Sequence, residues 1–294
     1  MGACLAVCLA TLSVGCSFKR LVIRASYSMV EEATSSFYEE PDAVLAAQAA
    51  PANLKLIEGM ARGDPANDEV QLAASQLLGM YAFGFLEDCC LDPAAQDQTN
   101  QRARLLYLRG RDYAVTVLRQ HADFDAMLEM NLDDFGKALE EFDEENVPEL
   151  FWAAFNWGLY INLSRTDLSA IADLSKVAAM AERVIALDES YFYGSAHLFL
   201  MVFHGSMGRA VGGSPEKARA EYEKAWAASK NKFLMTKYMF AKTYCLQTLD
   251  RELFEKLLKE ILAAPADLLP EQRLSNTVAK EKAARLLSRA EDLF

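Results

Sequence analysis

A chain of 294 residues with 52% apolar side chains is long enough to bury a sizeable core, which excludes general disorder. Its formal net charge of −12 argues against nucleic-acid binding, because that requires a basic patch that displaces counterions. An acidic surface keeps a protein soluble and says little about its partners.

The N-terminal run is apolar and uncharged, and it ends in Leu12-Ser13-Val14-Gly15-Cys16. It is shorter than the roughly 18 residues of a membrane span and fits the apolar region of a signal peptide. Small residues before a cysteine are typical of bacterial lipoproteins, although a buried helix with a chance cysteine is the alternative. We therefore predict a signal peptide over residues 1–15, lipidation of Cys16 and a short tether over residues 16–25.

This N-terminus predicts a protein held in the periplasm by its lipid anchor. Ser17 stands where some inner-membrane lipoproteins carry aspartate, which favours the outer membrane. Cys89, Cys90 and Cys245 then remain, and we expect all three to be buried, small and apolar. A bridge from Cys89 or Cys90 to Cys245 stays open at this point.

The rest of the chain, residues 26–294, reads as a single all-α domain built as an array of antiparallel helical hairpins. Residues 68–88 repeat apolar side chains at helical spacing, and Ser214-Pro215-Glu216 is typical of a helix start. Pro148, Pro265 and Pro270 mark further boundaries.

Two segments resemble the second helix of a tetratricopeptide repeat, in which small residues let neighbouring helices approach closely. Ala218, Tyr222 and Ala225 match that pattern, and Val177, Ala181 and Val184 form a degenerate copy. The two copies are spaced more widely than the standard repeat of about 34 residues. We predict degenerate tetratricopeptide-like repeats.

Active-site signals are missing, so we predict no enzyme, no cofactor and no metal site. His197 and His204 would lie roughly 10.5 Å apart along a helix, too far to share one zinc ion. The sequence contains no phosphate-binding loop, dinucleotide fingerprint or nucleophile elbow.

Aromatic side chains are concentrated in segments 151–160 and 191–204, which are apolar nearly all round. Core packing explains most of this pattern. The competing interpretation is an apolar ligand cavity in which a few polar groups orient the ligand. The candidate cavity residues are Trp152, Asn156, Trp157, Tyr160, Tyr193, His197 and His204.

Several ordered motifs together resemble the T-component family of TRAP transporters, the TatT-like lipoproteins. They are Leu150-Phe151-Trp152-Ala153-Ala154 with Trp157-Gly158, Asp188-Glu189-Ser190-Tyr191 with Gly194 and His197, Val211-Gly212-Gly213-Ser214-Pro215-Glu216-Lys217-Ala218-Arg219 with Tyr222-Glu223-Lys224-Ala225, Asp250-Arg251-Glu252-Leu253-Phe254 with Ala264-Pro265-Ala266-Asp267, and Pro270-Glu271-Gln272-Arg273-Leu274-Ser275-Asn276 with Ala290-Glu291-Asp292-Leu293-Phe294.

The resemblance implies a lipid-anchored, all-helical homotrimer with a pore or cleft through each protomer. It also implies association with the periplasmic solute-binding P-component and handling of a small organic acid, hydrophobic ones included. No catalytic residues carry over from the family. The alternative is a general tetratricopeptide scaffold lipoprotein for envelope assembly, which would use a polar groove for peptides rather than an apolar cavity.

Overall fold

The computed structural model describes residues 20–25, 27–206 and 213–294. Within these ranges the chain is helical and contains no strand, which confirms the predicted all-α class. The predicted signal peptide over residues 1–15 and the predicted lipidation at Cys16 lie outside the described residues.

The first half of the chain contains the two longest helices, Ala43–Gly63 and Pro93–His121, together with shorter ones. In chain order the helices are α1 (Tyr27–Tyr38), α2 (Ala43–Gly63), α3 (Asp68–Tyr81), α4 (Pro93–His121), α5 (Phe124–Leu128), α6 (Leu132–Ala138) and α7 (Val147–Asn162). A π-helical segment, Ala82–Leu86, continues directly from α3. Short 3₁₀ turns at Leu139–Glu141 and Glu144–Asn146 lead from α6 into α7.

The second half contains both long and short helices. They are α8 (Leu168–Ala172), α9 (Leu174–Leu187), α10 (Tyr191–Ser206), α11 (Pro215–Ala228), α12 (Leu234–Phe240), α13 (Leu246–Thr248), α14 (Arg251–Ala263), α15 (Arg273–Leu287) and α16 (Ala290–Leu293). A second π-helical segment, Ala241–Cys245, joins α12 to α13.

Helix starts follow the capping chemistry expected from the sequence. The Ser214 side chain accepts a hydrogen bond from the backbone N–H of Lys217 at 3.2 Å, which confirms the predicted start of α11. Pro148 lies in the first turn of α7, and Pro270 opens a 3₁₀ turn before α15. Pro265 follows the end of α14, so all three predicted boundaries are confirmed.

Consecutive long helices pack side by side, as α2 does with α3, α9 with α10, and α10 with α11. Ala218 and Ala225 are fully buried at the contact between α10 and α11. A β-carbon on Gly205 of α10 would lie 3.4 Å from the Ala218 β-carbon, so small residues do permit the close approach. This packing is compatible with hairpins, and the tetratricopeptide relationship stays a prediction.

Residues 20–25, predicted as the end of the tether, are helical and contact the main body of the protein. Ile23 is buried, and the Arg24 guanidinium donates to Asp64 Oδ2 at 3.0 Å. Asp64 has no exposed side-chain surface, so this pairing stabilises a buried carboxylate at the end of α2.

The three described cysteines are free thiols. Cys245 is buried as predicted, whereas Cys89 and Cys90 are half-buried between the first π-helical segment and α4. Their Sγ atoms lie 3.0 Å apart.

Candidate functional site

A large cavity of about 930 Å³ lies where the two main hydrophobic clusters meet. One cluster is centred on α12, α14 and α15, and the other on α4, α7 and α9. Both contribute side chains to the wall, for example Met239 from the first and Phe155 from the second. This volume is at the upper end of the range for small-molecule sites, roughly 300–1,000 Å³.

The cavity wall is mostly apolar. Its larger apolar side chains include Phe37, Leu54, Ile57, Met80, Phe83, Phe85, Phe155, Leu159, Phe192, Leu198, Phe199, Phe233, Met235, Met239, Leu246, Leu274 and Val278. A wall of this kind binds an apolar molecule through burial of surface, and its few polar groups fix the orientation of the ligand.

Helix α1 covers one side of the cavity with a single face. Val30, Ala33, Thr34, Phe37 and Tyr38 line the cavity at spacings of three and four residues, as one helix face requires. The Tyr38 hydroxyl accepts a hydrogen bond from Gln76 of α3, which fixes the end of this cover to the main body.

Both π-helical segments contribute to the wall. The first supplies Phe83, Gly84 and Phe85, and the second supplies Lys242 and Thr243. A π-helical turn holds one more residue than an α-helical turn and is frequent at functional sites. Two such turns on one cavity mark it as the candidate site on geometric grounds alone.

The charged residues of the wall are Glu87, Arg165 and Lys242, and both Glu87 and Arg165 are near enough to Lys242 to act on its charge. The Lys242 ammonium donates to Asp88 Oδ2, and the Tyr238 hydroxyl donates to the same oxygen at 2.9 Å. The Glu87 carboxylate accepts a hydrogen bond from Tyr107. These residues form a compact cluster at the C-terminal end of the first π-helical segment.

A buried lysine completes this charged cluster. Lys282 donates to the Glu87 carbonyl oxygen, and its ammonium lies 4.0 Å from Asp88 Oδ2. Burial lowers the pKa of Lys282 to about 8, because the low-dielectric surroundings disfavour its charged form.

The carboxyl groups of the cluster respond differently to their surroundings. Burial raises the pKa of Glu87 above its usual range. Burial also acts to raise the pKa of Asp88, but Lys242 and Lys282 outweigh it and hold that pKa well below its usual range. Asp88 therefore remains ionised, while Glu87 is the weaker acid of the pair.

Comparison with known proteins identifies the family of this helical chain. The family model for the TRAP transporter T-component matches residues 39–294. The chain belongs to this family. An uncharacterized protein of Treponema pallidum (strain Nichols) is 27% identical over 317 residues, covering 99% of this chain and 97% of its own length.

The T-component family is a family of transport accessories rather than of enzymes, which gives the protein an accessory role in a TRAP transporter. In the part of the chain that the structure describes, no helix is long and apolar enough to cross a membrane.

The seven candidate residues of this T-component lie on α7 and α10, two helices that supply part of the cavity wall. Trp152, Asn156, Trp157 and His197 are buried, while Tyr160, Tyr193 and His204 are partly buried. The residues that line the cavity do not include any of the seven. Their helices are apolar nearly all round, and the four buried side chains pack within the core.

Each buried candidate has a defined packing partner. The Trp152 indole N–H donates to the Tyr191 hydroxyl at 3.2 Å, and the ring packs behind Phe155 and Phe192 of the wall at 5.2 and 5.1 Å. His197 Nδ1 lies 2.5 Å from Glu221 Oε2 on α11.

Trp157 and Tyr160 each lie beneath an arginine of α4. The Arg111 guanidinium lies 5.3 Å from the Trp157 ring centroid, and that of Arg104 lies 5.9 Å from the Tyr160 ring centroid. Tyr193 stacks on Phe233 with ring centroids 5.5 Å apart, and His204 contacts the Phe203 ring edge-to-face at 5.1 Å.

The two predicted segments do line the cavity, through neighbouring residues. The segment 151–160 contributes Phe155, Gly158 and Leu159, and the segment 191–204 contributes Phe192, Ser195, Leu198, Phe199 and Val202. The charged end at Lys242 and Glu87 was not predicted. A signal for it exists in the sequence, because Met235, Met239, Lys242 and Leu246 recur at spacings of four, three and four.

Proposed function

We propose that this protein is a lipid-anchored periplasmic accessory of a TRAP transporter that docks the solute-binding P-component and holds a small organic acid in its internal cavity. The observation that carries the proposal is the apolar cavity of about 930 Å³ inside a T-component fold. A cavity of this size and polarity suits a solute with a substantial apolar part. Passage of that solute between the two proteins would be the accessory function.

The cavity also bears on the alternative of a general tetratricopeptide scaffold for envelope assembly. A peptide-binding scaffold uses an open, polar concave groove. Here the wall is mostly apolar, and α1 covers one side of the cavity with Val30, Ala33 and Phe37. This arrangement supports ligand binding over peptide docking.

Docking is tested by sedimentation velocity on the purified protein mixed with the solute-binding protein of the same transport system. We expect a complex with three copies of each, since the proposed state of this protein is a homotrimer. A solute-binding protein from an unrelated transporter serves as the control. Two independent, unmixed species at high concentration would contradict the docking part of the proposal.

Anchoring is tested by growing cells with radiolabelled palmitate and comparing the natural chain with Cys16→Ser. We expect label on the natural protein, its sedimentation with membranes, and loss of both in the variant. A natural protein that stays unlabelled would remove the lipid anchor from the proposal and leave the cavity untouched.

A further inference from the structure

The charged end of the cavity carries more cations than ionised acids. Lys242 and Lys282 share the single Asp88 carboxylate, while burial weakens Glu87 as an acid and Tyr107 occupies its carboxylate oxygen. Arg165 adds a third cation, and the partner of its guanidinium is the uncharged Asn162 amide oxygen. The local net charge at this end is therefore positive, in a protein whose overall net charge is −12.

The cations of the wall face the cavity and can be reached. Lys242 belongs to the cavity wall, and its side chain is 27% exposed. Arg165 also lines the cavity and is exposed to solvent, so this end is open. Burial and the nearby Arg165 both act to lower the pKa of Lys242, but Asp88 and Glu87 outweigh them and hold that pKa above its usual value.

Uncharged hydrogen-bonding groups surround these cations. Asn162, Thr243 and Gln247 line the same end of the wall, next to Arg165 and Lys242 in the chain. Beyond them the wall is formed by Phe83, Leu159, Leu246 and other apolar side chains. A ligand with one anionic head group and an apolar body would match both parts of this surface.

We propose that Lys242 and Arg165 form a binding site for the carboxylate of an amphipathic monocarboxylate, whose apolar chain lies along the cavity wall of Phe83, Phe155 and Met239. This inference rests on the proposed function, because it assigns the head-group site of the ligand that the cavity holds. Lys242 is the central residue, and Asp88 is its internal competitor for the carboxylate.

Because Asp88 competes with the ligand for Lys242, replacing Asp88 should increase the affinity for a carboxylate. Asp88 has φ of 52°, a left-handed conformation that asparagine tolerates well. Asp88→Asn keeps an oxygen that can accept from Tyr238 and removes the negative charge beside Lys242. The freed lysine should then bind an external carboxylate more tightly.

The test is isothermal titration calorimetry on the full-length protein with decanoate and with decanol, which share a chain length and differ in head-group charge. We expect decanoate to bind about tenfold more tightly than decanol, since a charge-assisted hydrogen bond is the stronger kind. Lys242→Gln should remove that preference, and Asp88→Asn should increase it. Lys137→Gln, at a lysine that is 75% exposed on α6, is the matched control and should change nothing.

The outcomes separate this inference from the proposed function. Equal binding of decanoate and decanol, or an unchanged preference in both Lys242→Gln and Asp88→Asn, would overturn the carboxylate site while leaving an apolar ligand cavity in place. Failure of both molecules to bind would overturn the cavity as a ligand site, and with it this inference.

Discussion

Asn156 of α7 lies directly against Gly110 of α4, where a β-carbon on residue 110 would lie 2.5 Å from Asn156 Oδ1. The amide of Asn156 is held there by hydrogen bonds from its Nδ2 to Ser75 Oγ at 3.1 Å and to the Trp152 carbonyl at 2.9 Å. A β-carbon on Gly79 of α3 would lie equally close to the same oxygen. Three helices that support the cavity wall therefore converge on one buried amide.

Gly110→Ala should destabilise the protein by about 3 kcal/mol, combining overpacking with loss of the Asn156 hydrogen bonds. Urea unfolding followed by circular dichroism measures the change. Gly136→Ala is the control, because no atom lies within 4 Å of a β-carbon there and alanine is the better helix former. Equal stability of the two variants would show that the contact between α4 and α7 tolerates the extra carbon.

Gly158→Ala should reduce ligand affinity more than stability. A β-carbon at residue 158 would overlap the edge of the Phe199 ring, and Phe199 lines the cavity. A ring that moves into the cavity leaves less room for a ligand. Titration with decanoate measures the affinity, and Gly59→Ala in open space on α2 is the control. An unchanged affinity would show that the ligand does not use this part of the wall.

Lys282 should make the protein more stable as pH rises from about 8 to 10. Its pKa is about 8 in the folded protein against an ordinary value of 10.5, so over this range the unfolded chain binds more protons than the folded one. The gain is about 2 kcal/mol. It is measured as the difference in the pH dependence of unfolding between the natural protein and Lys282→Met. The comparison is needed because burial raises the pKa of Cys245, so that thiol makes the protein less stable as pH rises.

This comparison isolates the titration of Lys282. Loss of the hydrogen bond from Lys282 to the Glu87 carbonyl changes the stability of the variant by the same amount at every pH below 8. Parallel curves for the two proteins across pH 8–10 would mean that Lys282 is charged throughout and fully stabilised by Asp88.

Trp157→Ala should cost about 3–5 kcal/mol of stability and leave affinity for decanoate unchanged in the folded fraction. Trp157 is only 5% exposed and packs in the cluster of α4, α7 and α9. Unfolding curves measure the first effect and calorimetry the second. A folded variant with reduced affinity would instead support the original prediction that this residue binds ligand.

The structure is predictable from sequence where one local pattern determines it. The helix start at Ser214 and the boundaries at Pro148, Pro265 and Pro270 follow from capping and from the missing proline N–H. The T-component family was also recognisable from ordered motifs spread over most of the chain.

The residues of the cavity wall were not predictable in the same way. A helix that is apolar all round, such as α7 or α10, gives no periodicity that separates its core side from its cavity side, so Trp157 and Gly158 cannot be told apart. Left-handed backbone at Phe192 and Tyr193, with φ of 44° and 62°, also interrupts the helical register at the start of α10. The contact between Lys242 and Asp88 joins residues distant in the chain, and only the tertiary structure brings them together.

Because of the two π-helical segments, the shape of the cavity depends on how many residues each segment contains as well as on which residues they are. Each widened turn accommodates one residue beyond the α-helical count, and Gly84 and Lys242 sit within those turns. A conservative side-chain exchange in the wall would leave this geometry intact. Deleting one residue from Ala82–Leu86 or Ala241–Cys245 would restore the narrower α-helical turn. Insertions and deletions at these two places, rather than substitutions, are therefore the changes to look for when relatives of this chain differ in what they hold.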